Sequence, residues 1–386
     1  MSKSSKVRLG IVGMGGMGTA HAKSIIAGEA GRIELTAVCD RKIELMKPFE
    51  DAKHFDDSDA MIASGEIDAI LICTPHYSHT TIGIAALEAG LHVLVEKPIS
   101  VHKADCERLI AAHTNKKQIF AAMFNQRTTP AYIKLRELIK NGELGKIQRI
   151  NWIITDWFRT DYYYASGDWR ATWGGEGGGV LLNQCPHQLD LWQWLFGMPS
   201  KVKAFCQIGR FHDIEVEDDV TAYLEYENGA TGVFITTTGE APGTNRLEVV
   251  GENGKMVLDG RDSITFTRNE VSCREFCATA DTGFDTPDVW NVEIPIKGEN
   301  PQHKGILKNF AEAILEGAEL LAPAEEGIHS VELANSMLYS TFTDSTVELP
   351  LDGAAYEAVL KKKIETSTFV KKTVEVTEVA DLSGTY

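Results

Sequence analysis

The sequence is short of positive charge and has no long apolar run. Across its 386 residues, 38 lysines and arginines against 55 aspartates and glutamates give a formal net charge of −17 at pH 7. That balance would repel nucleic acid and anionic membranes. No stretch approaches the roughly 20 apolar residues that a membrane helix needs, and no apolar h-region of a secretory signal precedes the first predicted strand. We expect a cytoplasmic protein that binds neither nucleic acid nor membranes.

Cysteines are few and scattered. Seven are present, an odd number that fits a reducing cytoplasm better than a disulfide framework. Cys273 and Cys277 lie close together, but the sequence has no second Cys/His pair that would complete a zinc site with them. We therefore expect no metal. The length and the 43% hydrophobic content allow two globular domains.

The first 125 residues alternate short β-rich runs with helical segments. The predicted strands are 7–12, 33–39, 67–73, 92–95 and 119–123. The predicted helices between them are 17–27, 41–51, 78–89 and 101–115. Strands alternating with helices indicate right-handed βαβ crossovers, so residues 1–125 are predicted to form a doubly wound parallel sheet of the nucleotide-binding type.

The pattern changes after Asn125. Residues 201–276 alternate polar and apolar residues between turn sequences, which is typical of an open antiparallel sheet. A β-rich run at 147–158 precedes them, and the tail at 366–379 is a further candidate strand. The other predicted helices are 130–140, one ending near Phe196, 303–316 and 325–340. Residues 126–386 are therefore predicted to be an α+β domain on a large, open, mostly antiparallel sheet.

A glycine-rich turn follows the first predicted strand. Gly13, Gly15 and Gly18 match G-x-G-x-x-G, in which the glycines allow a tight turn, a close pyrophosphate and helix–sheet packing. The turn also includes Met14, Gly16 and Met17. Asp40 ends the second strand, where a carboxylate binds the ribose hydroxyls of the adenosine half and repels a 2′-phosphate. Arg41 beside it is a group able to bind that phosphate. The pattern favours NAD over NADP.

Further motifs follow the predicted strands 67–73 and 92–95 and continue into the second domain. They are Thr74-Pro75 with His79, Glu96-Lys97-Pro98, Trp169-Arg170, and Gly177-Gly178-Gly179 followed by His187 and Asp190. In combination, from about Val7 to the C-terminal helices, the chain resembles the Gfo/Idh/MocA oxidoreductase family. The resemblance implies an NAD-binding Rossmann domain and a second domain for substrate binding and oligomerisation. It also implies a sugar or polyol substrate and a homo-oligomer.

The same resemblance assigns the site residues. It makes Lys97 and His187 catalytic, with Lys97 aimed by a Lys-Pro bond that is often cis in the family. Family members usually carry Asp where this chain has Asn183, whose amide cannot titrate but can hydrogen-bond sugar hydroxyls. The predicted cofactor contacts outside the glycine turn are Asp40, Arg41, Thr74, Pro75, His79, Glu96, Lys97, Trp169 and Arg170. The predicted substrate contacts are Asn183, Asn125, Tyr164, Trp169 and Asp190.

Pro186 bears on the local structure around His187. Proline suits the first turn of a helix and disrupts its interior, so the helix is expected to begin near Pro186 with Asn183 in the preceding turn. A histidine at a helix N-terminus stays neutral, as a general base must. The alternatives are a histidine packed in the core, and an Asp190 that orients His187 or pairs locally instead of binding substrate. The tyrosines at 162–164 either wall a sugar pocket or pack against the second domain.

The leading functional hypothesis is NAD-dependent oxidation of a ring secondary hydroxyl in a sugar, a glycoside or a polyol. Two features favour C3 of a pyranose or glycoside over a free inositol: Asn183 in place of the family's usual Asp, and the tyrosines at 162–164. One alternative is a redox-neutral enzyme that cleaves glycosides through a transient 3-keto intermediate and returns the hydride to bound NAD. The other is a non-catalytic sugar sensor on the same fold.

Overall fold

A computed structural model describes residues 5–374, in which two sheets dominate. The first sheet is entirely parallel, with the order β3-β2-β1-β4-β5-β6. Its strands are β1 Val7–Val12, β2 Ile33–Cys39, β3 Lys53–Phe55, β4 Ala69–Ile72, β5 His92–Val95 and β6 Phe120–Ala122. The predicted doubly wound sheet is confirmed. Strands β1, β4 and β5 could be recognised in the sequence because they are buried, nearly continuous apolar runs, which are typical of parallel sheets.

Four helices accompany this sheet: α1 Gly16–Ile26, α2 Ser58–Ala63, α3 Tyr77–Glu88 and α4 Lys103–Ala112. The helix predicted at 41–51 is wrong. That segment holds only a three-residue 3₁₀ turn, Ile43–Leu45, followed by turns. Pro48 explains the difference, since it disfavours helical backbone at the residue before it. Strand β3 and helix α2 escaped prediction because three and six residues are too few to show a period.

The second sheet has nine strands in the order β14-β13-β12-β11-β7-β10-β9-β8-β15. Neighbouring strands are antiparallel except β7 and β10, which are parallel. The strands are β7 Ile147–Ile154, β8 Lys201–Ile208, β9 Glu217–Glu225, β10 Thr231–Thr237, β11 Asn245–Gly251, β12 Gly254–Asp259, β13 Ser263–Asn269, β14 Val289–Ile294 and β15 Val347–Glu348. The predicted large, mostly antiparallel sheet is confirmed.

Between residues 126 and 374 the structure has seven α-helices. They are α5 Pro130–Lys140, α6 Asp161–Ala165, α7 Pro186–Phe196, α8 Cys273–Thr279, α9 Gln302–Glu316, α10 Gly327–Thr343 and α11 Gly353–Glu365. The strand predicted at 366–379 is not formed in its described part, 366–374, and the remainder lies outside the described residues. No helix within 5–374 combines the length and the apolar character needed to cross a bilayer.

Two apolar cores form, one against each sheet. The second contains Trp152 and Trp192, whose rings stack with centroids 6.5 Å apart. Helix α9 belongs to the first core through Ile306, Leu307 and Phe310, although it follows the second sheet in sequence. Residue 125 thus separates the strands of the two sheets, but α9 from beyond it packs into the first core. As a domain boundary, residue 125 stays a prediction.

Candidate active site

The glycine-rich turn joins β1 to α1 at the carboxyl end of the parallel sheet. Gly13 has φ +91°, and a Cβ there would lie 2.7 Å from the carbonyl of Cys73. A Cβ on Gly18 would collide with the carbonyl oxygen of Gly13. A Cβ on Gly15, by contrast, would meet no described atom within 4 Å. The turn is thus closed towards the sheet and open on the side where the predicted pyrophosphate would approach.

Asp40 is bound to this turn. Its Oδ2 accepts a hydrogen bond of 2.7 Å from the backbone N–H of Met14, and its Oδ1 accepts one of 2.8 Å from that of Lys42. Arg41 beside it is exposed. The carboxylate therefore stands at the end of β2 beside the glycine turn, as a ribose ligand would.

His79 ties together the loops that follow β4 and β5. Its Nδ1 lies 2.8 Å from the carbonyl oxygen of Pro98, and its Nε2 lies 2.8 Å from that of Thr74. The ring is buried, so the structure gives His79 a positioning role between two loops predicted to contact the cofactor. The Thr74 hydroxyl is buried without a hydrogen-bond partner among the described residues, which fits a group kept for a ligand.

A polar cluster lies buried behind the turn. His21 Nε2 and Glu96 Oε1 are 2.7 Å apart, and candidate ligand atoms of His21, Cys73 and Glu96 all lie within 4.8 Å of one another. Burial alone would raise the pKa of Glu96, but the bond to His21 and nearby positive charge lower it to about 2. Its other oxygen accepts from the backbone N–H of Lys97 at 3.2 Å. Glu96 thus orients the loop that carries Lys97.

Lys97 connects the two halves of the site. Its peptide bond to Pro98 is cis, as the resemblance implied, and Nζ donates a hydrogen bond of 2.9 Å to the backbone carbonyl of Asn183. Burial lowers the pKa of Lys97 below 10.5, while the carboxylate of Glu96 opposes that change. The ammonium is thus held beside the loop that precedes α7, partly removed from solvent.

His187 lies in the first turn of α7, which begins at Pro186 with Asn183 outside it, as predicted. The ring is 3% exposed, and neither nitrogen has a hydrogen-bond partner in the part of the chain that the structure describes. Burial, and secondarily the charge of Lys97, lowers the pKa of His187 well below 6.5. A neutral imidazole with both nitrogens unused can take a proton from a bound hydroxyl.

Tyr163, the neighbour of the predicted substrate contact Tyr164, is the tyrosine that contacts Asn183. The Tyr163 hydroxyl accepts from Arg170 Nη1 at 2.8 Å and from Gln184 Nε2 at 3.0 Å, and it donates to Asn183 Oδ1 at 3.3 Å. Tyr164 is instead buried, with its hydroxyl 2.7 Å from that of Thr238. The substrate contact predicted for Tyr164 stays a prediction, and Tyr163 is a contact that the sequence did not single out, because α6 is only five residues long and gave no indication of its inward face.

Trp169 and Arg170 form one wall with Tyr163. The Arg170 guanidinium lies 4.5 Å from the ring centre of Trp169 and 4.6 Å from that of Tyr163. The Trp169 ring also meets His76 edge-on at 5.5 Å. This wall brings together Trp169 and Arg170, both predicted, and leaves them partly exposed.

Asp190 is buried in an ion pair. Both carboxylate oxygens accept from the guanidinium of Arg127, at 2.6 and 2.8 Å. Burial alone would lower the pKa of Arg127, but Asp190 and then Glu326 raise it above its ordinary value. The Asp190 carboxylate is thus engaged by a residue 63 positions away in sequence, and its predicted contact with substrate stays a prediction. Asn125, also buried, donates from Nδ2 to Gln302 Oε1 at 2.5 Å, and its Oδ1 has no partner in the described chain.

One acidic side chain at the site was not predicted. Glu176, 1% exposed, accepts from the backbone N–H of Ala171 at 2.6 Å and from Nδ2 of Asn183. The available signal was its isolation among glycines, in the run Gly174-Gly175-Glu176-Gly177. The side chain and backbone of Glu217 hold the next part of this loop, by accepting from Leu181 N and Val180 N.

Comparison with known proteins identifies the relationship. A model described as an oxidoreductase family with an NAD-binding Rossmann fold matches residues 7–124, and one described as the GFO/IDH/MocA C-terminal domain matches residues 132–257. Together they cover more than half of the chain. The chain belongs to the GFO/IDH/MocA family. The resemblance drawn from the motifs is confirmed, and residues 7–124 of this GFO/IDH/MocA protein form an NAD-binding Rossmann fold.

Individual members of the GFO/IDH/MocA family resemble the chain over most of its length. Myo-inositol 2-dehydrogenase of Thermotoga maritima is 28% identical over 265 residues, covering 66% of this chain and 75% of that protein. Levoglucosan dehydrogenase of Pseudarthrobacter phenanthrenivorans is 25% identical over 389 residues, covering 89% and 98%. The crystal structure of the WlbA dehydrogenase from Bordetella pertussis in complex with NADH and UDP-GlcNAcA has a TM-score of 0.75 and 26% identity, covering 90% and 100%.

Proposed function

We propose that this protein oxidises a ring secondary hydroxyl of a sugar, glycoside or polyol in an NAD-dependent reaction. The observation that carries the proposal is His187, whose two ring nitrogens are buried and unpartnered among the described residues. A buried imidazole without hydrogen bonds costs free energy that a bound hydroxyl would recover. The relatives named inositol and levoglucosan dehydrogenase are consistent with such a substrate.

The residues divide the chemistry between them. The neutral imidazole of His187 takes the hydroxyl proton as the carbonyl forms. The ammonium of Lys97 stabilises the negative charge that develops on the same oxygen. The glycine turn and Asp40 would hold NAD, which when bound would accept the hydride that leaves the carbon. The amide of Asn183 positions the ring through a neighbouring hydroxyl.

Among possible substrates we favour a pyranose or glycoside oxidised at C3. The wall of Tyr163, Trp169 and Arg170 supports this choice, because aromatic faces pack against the apolar faces of pyranose rings while a guanidinium binds hydroxyl or acidic groups. The WlbA dehydrogenase was crystallised with a sugar nucleotide, UDP-GlcNAcA, which is consistent with a sugar-binding pocket on this fold.

A homo-oligomer in the cytoplasm remains part of the proposal. Phe205 and Tyr223 are exposed on the neighbouring strands β8 and β9, at 58% and 43%. Exposed aromatic side chains on an open sheet suit contact with a second copy of the chain. Light scattering tests this, with a monomer as the contradicting result.

A substrate screen tests the proposed reaction. The purified protein is mixed with NAD and with polyols, free pyranoses and glycosides, and formation of NADH is followed, while protein denatured in parallel is analysed for released cofactor. We expect NADH to form with at least one pyranose or glycoside, and not with His187→Gln under the same conditions. No reduction of added or bound cofactor by any member of the panel would contradict the proposal.

A further inference from the structure

The carboxylate of Glu176 contacts the side chain of Asn183, a predicted substrate-binding residue, whereas Lys97 binds the backbone carbonyl of Asn183. One oxygen, Oε2, accepts from Ala171 N at 2.6 Å, and the other, Oε1, accepts from Nδ2 of Asn183. The backbone carbonyl oxygen of Glu176 lies 3.2 Å from Nδ1 of His76. Glu176 is 1% exposed, so this contact with Asn183 is sheltered from water.

These contacts fix which way the Asn183 amide points. Nδ2 faces a carboxylate, which only accepts, and Oδ1 faces the Tyr163 hydroxyl at 3.3 Å. That hydroxyl already accepts from Arg170 and Gln184, so its own proton is directed to Asn183. Among residues 5–374, the amide has one N–H and one lone pair without a partner, in an orientation set by Glu176.

Charged groups surround the carboxylate. Burial raises the pKa of Glu176, while Arg170, Lys371 and its two hydrogen bonds oppose that change. Lys97 in turn is influenced by Glu96, Arg170, Glu176 and Arg159. Of these, the carboxylates of Glu96 and Glu176 favour the charged ammonium, and the two arginines disfavour it. The negative charge beside Asn183 is therefore part of the electrostatic setting of Lys97.

We propose that Glu176 is a positioning residue for the oxidation, one that orients the amide of Asn183 towards the sugar. This inference rests on the proposed function. In this proposal the carboxylate beside Asn183 comes from the loop around Gly174-Gly175-Glu176-Gly177. Asn183 is the hydrogen-bond donor and Glu176 the acceptor. The pair is testable because its two partners can be exchanged.

The single variants break the match in different ways. In Glu176→Gln, the oxygen must still accept from Ala171 N, so the new NH₂ group faces Nδ2 of Asn183 and forces that amide to turn over. In Asn183→Asp, two carboxylates meet and retain a shared proton. The double variant Glu176→Gln/Asn183→Asp restores a donor facing an acceptor with the total charge of the original pair.

The experiment is a double-mutant cycle in kcat/KM and in melting temperature, with Glu227→Gln, an exposed turn residue, as control. Each single variant should lose about 10- to 100-fold in kcat/KM, and the double variant should recover at least about tenfold over the worse single. In Glu176→Gln, the alkaline limb of the pH profile should move to lower pH, because Lys97 loses a neighbouring negative charge. In the double variant, which has a carboxylate at residue 183, the alkaline limb should lie at higher pH than in Glu176→Gln.

The outcomes separate this inference from the proposed function. Turnover by the parent protein with full activity and an unchanged pH profile in Glu176→Gln would overturn the inference alone. Independent effects in the double variant, with losses in kcat/KM that multiply and decreases in melting temperature that add, would also overturn it. Absence of turnover by the parent protein across the sugar panel would overturn the proposed function itself.

Discussion

Lys97 Nζ donates a hydrogen bond of 2.9 Å to the backbone carbonyl of Asn183. The bond joins the end of β5 in the Rossmann sheet to the loop before α7, so it aligns the predicted cofactor side with the predicted substrate side. Because the acceptor belongs to the backbone, substitutions of the Asn183 side chain leave the bond available. The position of Lys97 and the identity of residue 183 are therefore separable by mutation.

Substitution of the two predicted catalytic residues should abolish turnover but not cofactor binding. Lys97→Met and His187→Gln are each expected to lower kcat by about 10²- to 10⁴-fold, the range for positioned acid–base groups. NAD binding, measured by calorimetry, should persist in both. The exposed residues Lys47 and His54 provide the matched controls Lys47→Met and His54→Gln. A collapsed melting temperature in His187→Gln would instead mark His187 as a core residue.

The pH profile should be bounded by these two residues. Burial lowers the pKa of His187 well below 6.5, so the base is already neutral there and the acid limb should lie below that pH. Burial lowers the pKa of Lys97 from 10.5, so activity should fall with loss of the ammonium before pH 10.5. Lys97→Arg keeps the positive charge, so its residual activity should lack the alkaline limb. An alkaline limb that persists in Lys97→Arg would assign it to another group.

Cofactor preference should follow Asp40. Because its carboxylate stands beside the glycine turn, Asp40→Ser should weaken NAD binding by roughly 10- to 100-fold, as expected for loss of a charged hydrogen-bond partner. NADP binding should strengthen, since the repulsion of the 2′-phosphate is removed and Arg41 can pair with it. Titrations of both cofactors measure this, with the exposed Asp51→Ser as control. Equal affinity of the parent protein for NAD and NADP would contradict the assignment.

The pair of Asp190 and Arg127 should matter for stability and not for substrate recognition. Asp190→Asn breaks a buried ion pair, which typically costs about 3–5 kcal/mol in the free energy of unfolding. Denaturant unfolding measures the loss, and the exposed Asp259→Asn is the control. An unchanged stability combined with a raised KM would support the substrate-binding role first predicted for Asp190.

Glu217 should make stability depend on pH. Burial raises the pKa of Glu217 to about 7 from 4.5. Between these two pH values the folded chain holds a proton on Glu217 that the unfolded chain has released. Its stabilising effect is complete below pH 4.5 and is lost as pH rises through 7. Melting temperatures of Glu217→Gln should therefore fall less between pH 5 and 8 than those of the parent protein, and less than those of the exposed control Glu225→Gln. Parallel curves for all three proteins would contradict the assignment.

The sequence predicted the features that are local or that depend on spacing. The turn at Gly13 with Asp40, and Lys97 directly after β5, follow from apolar runs and fixed intervals. The partner of Asp190, by contrast, is Arg127, 63 residues away, and no local pattern reveals such a pair. The role of Glu176 was equally hidden, because it depends on how an irregular loop folds back onto Asn183.

Transfer of a labelled hydrogen tests the central proposal most directly. The protein is incubated with NAD and glycosides that carry deuterium on C3 of the sugar ring, and the mass of the reduced cofactor is measured. We predict one deuterium in the nicotinamide ring of NADH and an unlabelled 3-keto product, with neither formed by His187→Gln. Unlabelled NADH would contradict oxidation at C3, and absence of any NADH or ketone would contradict the proposed reaction.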